Sequence, residues 1–104
     1  GQIYLAAADG EIIALRGSDR REVWTQDRLA WRQLTQPMVY EDYLVVGDFE
    51  GYLHALDRED GSLVGQREFD DEGIRVPAQR LANGNLLVFG NSGKMAVFQV
   101  KPQD

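Results

Sequence analysis

Cysteine is absent from this 104-residue chain, histidine occurs once, and basic residues are outnumbered 17 to 11 by acidic ones. Without a thiol there is no disulfide framework, no thiolate zinc site and no cysteine nucleophile within the chain. A single imidazole leaves no second histidine with which to build a zinc centre. The net charge of −6, with Lys and Arg scattered rather than striped, is unfavourable for nucleic acid, which needs local positive charge. No run of 18 or more apolar residues marks a membrane-crossing helix, and the N-terminus lacks a basic segment followed by an apolar one and a cleavage site. What remains, 43% hydrophobic and 10% aromatic, is the composition of a folded protein with a modest core.

The chain is written in repeats. "IYLAAADGEIIAL" (Ile3 to Leu15), "YLVVGDFEGYLHAL" (Tyr43 to Leu56) and "LLVFGNSGKMAVF" (Leu86 to Phe98) each place a polar turn between two apolar runs. Their turn glycines Gly10, Gly51 and Gly93 lie 41 and 42 residues apart, within the ~40–45 residue period of a four-stranded propeller blade. A short strand precedes the second and third hairpins, with Pro37 and Pro77 at corresponding places, and another follows the first two, "EVWTQ" and "LVGQREF". Labelled A to D within each unit, the strands run B-C-D, A-B-C-D, A-B-C. The fold class expected is all-β, a β-propeller of antiparallel four-stranded blades. Residues 1–26 form an incomplete blade, 36–69 a complete one and 76–100 an incomplete last one. Asp27 to Thr35 reads as an interblade loop with room for one helical turn.

A closed propeller needs four to eight blades, so the expectation is a C-terminal fragment of a longer protein, ending after strand C with the polar tail Lys101 to Asp104. Such an open piece exposes strand edges and apolar faces, which predicts self-association or marginal stability.

The repeat resembles the quinoprotein-like, or PQQ-type, propeller family, whose blade carries an Ala-x-Asp-x-x-Thr-Gly-Lys-x-x-Trp signature. Ala55, Asp57 and Gly61 meet it in the central blade, where Gly65 replaces the tryptophan; Ala14, Arg21 (for Lys) and Trp24 meet it in the first; the third retains Ala96. Within that superfamily "WTQ", "LTQP", "LVVGDFEGYL" and "EDGSLVGQ" resemble the C-terminal blades of the BamB family of outer-membrane-protein assembly factors. The resemblance implies an eight-bladed ring anchored by a lipid, absent from this chain, at the periplasmic face of the bacterial outer membrane. It implies a non-enzymatic scaffold that binds the POTRA domains of BamA within the BAM complex. Separately, the edge strands of such a scaffold offer a place for an extended segment of an unfolded outer membrane protein. The rival is a fragment of a PQQ-dependent quinoprotein dehydrogenase, with quinone and calcium at the axis.

Residue by residue, no catalytic, cofactor-binding or metal site emerges, and no cofactor is assigned. His54 reads as a packing or surface residue of strand C, sharing a face with Tyr52 and Leu56. Asp9, Asp48, Asp57 and Asp60 read as turn-capping carboxylates, because "DREDG" misses the register of a calcium loop. "GNSGK" lacks the spacing of a phosphate loop, and the paired acids of the turns give no sign of raised pKa. Trp24 is expected to pack between blades, with Gly10, Gly51, Asp57, Gly61 and Gly93 as structural repeat positions. Partner-contacting residues are unknown from the sequence. Arg28, Trp31 and Arg32 are the loop candidates, although a Trp31 tucked under its own loop is the preferred reading.

Overall fold

The computed structural model describes residues 1–99; the end of the last expected blade at Val100 and the tail Lys101 to Asp104 lie outside the described residues. Ten strands form three antiparallel sheets: β1 (Gln2–Ala6), β2 (Ile12–Arg16) and β3 (Glu22–Gln26); β4 (Met38–Tyr40), β5 (Tyr43–Gly47), β6 (Tyr52–Asp57) and β7 (Leu63–Glu68); β8 (Gln79–Arg80), β9 (Leu86–Phe89) and β10 (Met95–Phe98). Each sheet is a meander in which every strand pairs with its sequence neighbour. There is no helix among the described residues. Residues 28–31 make a turn and nothing more, since left-handed backbone at Trp31 (φ 66°) and Gln33 (φ 51°) interrupts any helical winding.

The three hairpin turns are built alike. The amides of Ala7, Asp48 and Gly90 donate to the carbonyls of Glu11, Tyr52 and Lys94 at 2.8, 3.0 and 2.7 Å, and each turn closes on a left-handed glycine, Gly10, Gly51 or Gly93. This is the three-residue hairpin in which an ordinary turn is followed by a residue of positive φ, the geometry only glycine enters without strain. At Gly51 a side chain is excluded twice over: φ is 94°, and a Cβ would overlap the carbonyl oxygen of Asp70. A register shift recurs between Ala14 and Leu15 and between Ala55 and Leu56, at the same place in successive repeats.

Packing follows from strand alternation. On β5, Leu44 and Val46 point to the first sheet and Val45 to the third, so the strand is buried on both faces and its apolar residues run without a polar break. One core joins Ile12, Ala14, Trp24 and Leu29 to Leu44, Val46 and Leu56; the other joins Tyr40, Val45, Phe69 and Ile74 to Leu86 and Val88. Trp24 is the bolt of the first interface: its ring occupies the space a Cβ on Gly61 would need, and its Nε1 donates to the carbonyl of Arg58 at 3.0 Å. The outer faces stay uncovered, with Ile3 and Leu5 on one flank and Met95 and Val97 on the other exposed.

Candidate functional site

Two segments link the sheets, residues 27–37 from β3 to β4 and residues 69–78 from β7 to β8. Each bridges neighbouring hairpin turns. In the first connector the amide of Trp31 donates to the carbonyl of Asp9, and the carbonyl of Arg32 accepts from Phe49, both at 2.9 Å. In the second, Phe69 N–H donates to the Gly51 carbonyl at 2.9 Å, and Asn91 N–H to that of Gly73 at 2.9 Å. Connectors and hairpin turns therefore make one continuous loop-bearing end of the blade stack.

Beneath the first connector lies a charged cluster. Asp48 is fully buried and His54 nearly so, and the His54 Nε2 stands 2.7 Å from Asp48 Oδ2. The same oxygen accepts from Arg32 Nη1 at 3.2 Å, while Oδ1 accepts from the Tyr52 amide at 2.9 Å. Burial works against ionisation of Asp48, but the hydrogen bonds from His54, the Tyr52 amide and Arg32 outweigh it and hold the carboxyl below its ordinary range. With an anionic acceptor, the proton of the His54 ring sits on Nε2. Asp48 is thus more than a turn cap: it ties hairpin, strand β6 and connector to one carboxylate.

The second connector solves the same problem with neutral groups. Asp70 Oδ2 accepts from the Ser92 hydroxyl at 2.6 Å and its amide at 3.1 Å, and Oδ1 accepts from Glu72 N–H at 2.9 Å. The Ser92 hydroxyl, followed by the Glu72 amide, keeps the Asp70 carboxyl low despite its burial. The polarity is reversed between the two connectors, since the first brings the cation to a carboxylate on the turn and the second brings the carboxylate.

Among the loop candidates, Arg28 is exposed, Arg32 is partly withdrawn onto Asp48, and Trp31 is 81% exposed. The reading of Trp31 as tucked under its loop is corrected: the backbone at Trp31, not its indole, lies against the protein, with its nitrogen only 2.6 Å from where a Gly10 Cβ would stand. Phe49, at the tip of the next hairpin, is a second outward aromatic at 62% exposed. Asp9, Asp57 and Asp60 accept from the amide two residues on, as turn caps do. One acid pair departs from expectation, because Asp9, with Asp27 and Glu22 behind it, raises the pKa of Glu11. Gly10, Gly51, Gly61 and Gly93 all take positive φ, Asp57 ends β6, and Trp24 is buried. Among the described residues no three His, Asp or Glu side chains converge as metal ligands would.

Sequence reasoning missed the Asp48–His54 pair. Its signal was present in the hairpin arithmetic: His54 pairs across from Val46, and Asp48 continues the same face two residues on.

Over residues 1–103 the chain matches the family whose model is described as outer membrane protein assembly factor BamB. The outer membrane protein assembly factor BamB of Shewanella oneidensis is 49% identical over 95 residues, 91% of this chain and 24% of that protein. That of Pseudomonas aeruginosa is 39% identical over 102 residues, 97% of this chain and 26% of that protein. The chain thus spans about a quarter of the length of these relatives. The crystal structure of BamB from Moraxella catarrhalis superposes with a TM-score of 0.86 at 22% identity, covering 99% of this chain and 31% of that one. The computationally designed Ika4 protein superposes at 0.78 with 15% identity, over 96% of this chain and 61% of its own. At such identities these two likenesses speak for the propeller fold alone.

Proposed function

The chain belongs to the BamB family of outer membrane protein assembly factors, and on that premise we propose that it forms three neighbouring blades of a non-enzymatic scaffold serving assembly of β-barrel proteins into the bacterial outer membrane. The whole protein works at the periplasmic face of that membrane within the BAM complex, with the POTRA domains of BamA as its partner, on an eight-bladed ring of which residues 1–26, 36–69 and 76–100 are parts. What carries this reading is the extent of the family match, which runs through all three sheets and both connectors rather than one repeat.

The architecture suits a scaffold. Both connectors are hydrogen-bonded to the hairpin turns on either side of them, so the loop-bearing end is a preformed surface on which binding requires little ordering. The outward side chains there are of the kinds that anchor protein interfaces, with Trp31 foremost and Arg28 beside it. Arg32 belongs to the support of that surface more than to the surface itself.

The test is functional replacement. A bacterium lacking its own factor, given the full-length protein that carries these blades, should recover normal levels of folded outer membrane barrels, and the purified protein should bind the POTRA region of BamA. Loss of both would remove the reading, and a quinone-binding assay of the whole protein would then examine the dehydrogenase alternative.

A further inference from the structure

Hairpin turns 7–11, 48–51 and 90–94 and connectors 27–37 and 69–78 share one end of the molecule, and their sequences hold eight carboxylates against four cations. Two of the four cations are committed, and Arg28 and Arg75 are exposed without a salt bridge among the described residues. Arg32 is bound to Asp48, and the Lys94 ammonium donates to the Phe69 carbonyl at 2.7 Å. By contrast Asp9, Glu11, Asp27, Glu50, Asp71 and Glu72 have no salt bridge among the described residues. At the opposite end Asp19 and Glu41 are each paired with arginine.

Two further observations sit on the same end. Trp31 and Phe49 project from adjacent turns, both exposed, on backbone fixed by the Trp31-to-Asp9 and Phe49-to-Arg32 hydrogen bonds. Beside them runs an open groove of about 680 Å³, its apolar wall made by Ala6 to Ala8, Leu34, Phe49 and Ile74 and its polar wall including Glu72 and the single cation Arg75. An exposed indole attracts cations over its face, unpaired carboxylates attract the same charge at longer range, and the groove has room for several side chains.

We infer that this end is a docking surface for a cationic segment of a partner protein, a Lys- or Arg-bearing loop or extended stretch that lays its charges on Trp31 and the acidic rim while its apolar side chains enter the groove beside Phe49. The inference rests on the scaffold reading and deepens it by giving the partner's chemistry. Electrostatic complementarity of this kind sets the association rate and the choice of partner, and it fades with salt because the rim is exposed.

The experiment uses the full-length protein and three probes: a 14-residue peptide alternating Lys with Leu and Tyr, its counterpart with Glu for Lys, and vesicles of anionic phospholipid. The cationic peptide is expected to bind, about tenfold more weakly when salt rises from 50 to 300 mM. Trp31→Ala should weaken it at least tenfold, Glu72→Gln and Asp27→Asn two- to fivefold each, and Asp60→Asn at the other end not at all. Equal binding of the Glu peptide, indifference to Trp31→Ala, binding to the vesicles in preference to the peptide, or no binding of any probe would overturn the inference. Circular dichroism of the variants guards against misfolding, and Trp31 is exposed enough that its loss leaves the cores intact. Should functional replacement succeed while the peptide assay fails, the scaffold reading stands and this surface alone is removed.

Discussion

Asp48 is the residue whose loss should hurt most for its size. Its carboxylate is fully buried and accepts hydrogen bonds from His54, Arg32 and the Tyr52 amide. Asp48→Ala leaves the imidazole and the Tyr52 amide buried without an acceptor and frees Arg32, whose side chain, one-third exposed, can turn to water. Each buried donor left without an acceptor costs about 1–3 kcal/mol, so the two together cost about 2–6 kcal/mol, a large part of the ~5–15 kcal/mol that holds a domain folded. Asp48→Asn keeps an oxygen for the Tyr52 amide but turns an NH2 toward His54 Nε2 and Arg32 Nη1, so the imidazole must move its proton to Nδ1 and Arg32 must swing to water, at an expected cost of about 1–3 kcal/mol. Urea unfolding followed by circular dichroism reads both, and at a slope of about 2 kcal/mol/M the alanine variant should lower the midpoint by roughly 2 M. In a His54→Leu background the alanine substitution should cost less, because one of the orphaned partners is already gone. A loss below about 1 kcal/mol for Asp48→Ala, or additivity with His54→Leu, would refute the account of this cluster.

The remaining predictions concern glycine, acid and the uncovered flanks. Gly51→Ala must both hold a positive φ and displace the Asp70 carbonyl, whereas Gly93→Ala at φ 95° meets open space; the second should cost only ~1–2 kcal/mol of left-handed strain, and the first visibly more in the same urea assay. Asp48 and Asp70 both have carboxyls held below the ordinary 3.8. Their contribution is therefore complete above that value and is lost as pH falls through the lower folded-state values. Melting temperature against pH should drop below pH 4, and less steeply for Asp70→Asn. Glu11 is raised instead, so its ionised form opposes folding at neutral pH, and Glu11→Gln should leave the melting temperature unchanged or higher. For the 104-residue chain alone, Ile3, Leu5, Met95 and Val97 on the open flanks predict concentration-dependent association in light scattering, relieved by Leu5→Lys with Val97→Lys.

The repeat was legible because its determinants are local. Alternation of apolar residues and a glycine needing positive φ every 41 or 42 residues are read from the chain directly, and they specify hairpins before any long-range contact forms. Arg20 shows where that legibility fails: it takes φ 59° in the turn between β2 and β3 where Gly61 takes 78° between β6 and β7, so the first copy of the turn survives without its marker residue. The connectors were opaque for a different reason. Their order comes from hydrogen bonds to hairpins on either side, which carry no period, and left-handed backbone at Trp31 and Gln33 gives no sequence sign. That is why Trp31 was expected beneath its loop.

The same two features that hid the site explain how it is made. A connector fastened through its main chain can turn any side chain outward, and at position 31 the main chain is held by its hydrogen bond to Asp9 and lies close over Gly10 while the indole stands in solvent. The next residue, Arg32, is thereby directed inward, where the buried carboxylate of Asp48 receives it. Exposure of Trp31 and the seating of Arg32 on Asp48 are two consequences of one backbone conformation. Gly10→Ala, which places a methyl 2.6 Å from the Trp31 nitrogen, should disturb both together. The expected outcome is a blue-shifted Trp31 emission, compared with a Trp31→Phe control, alongside a loss of stability. If stability fell with Trp31 still fully solvated, the connector would not be the rigid lever described here.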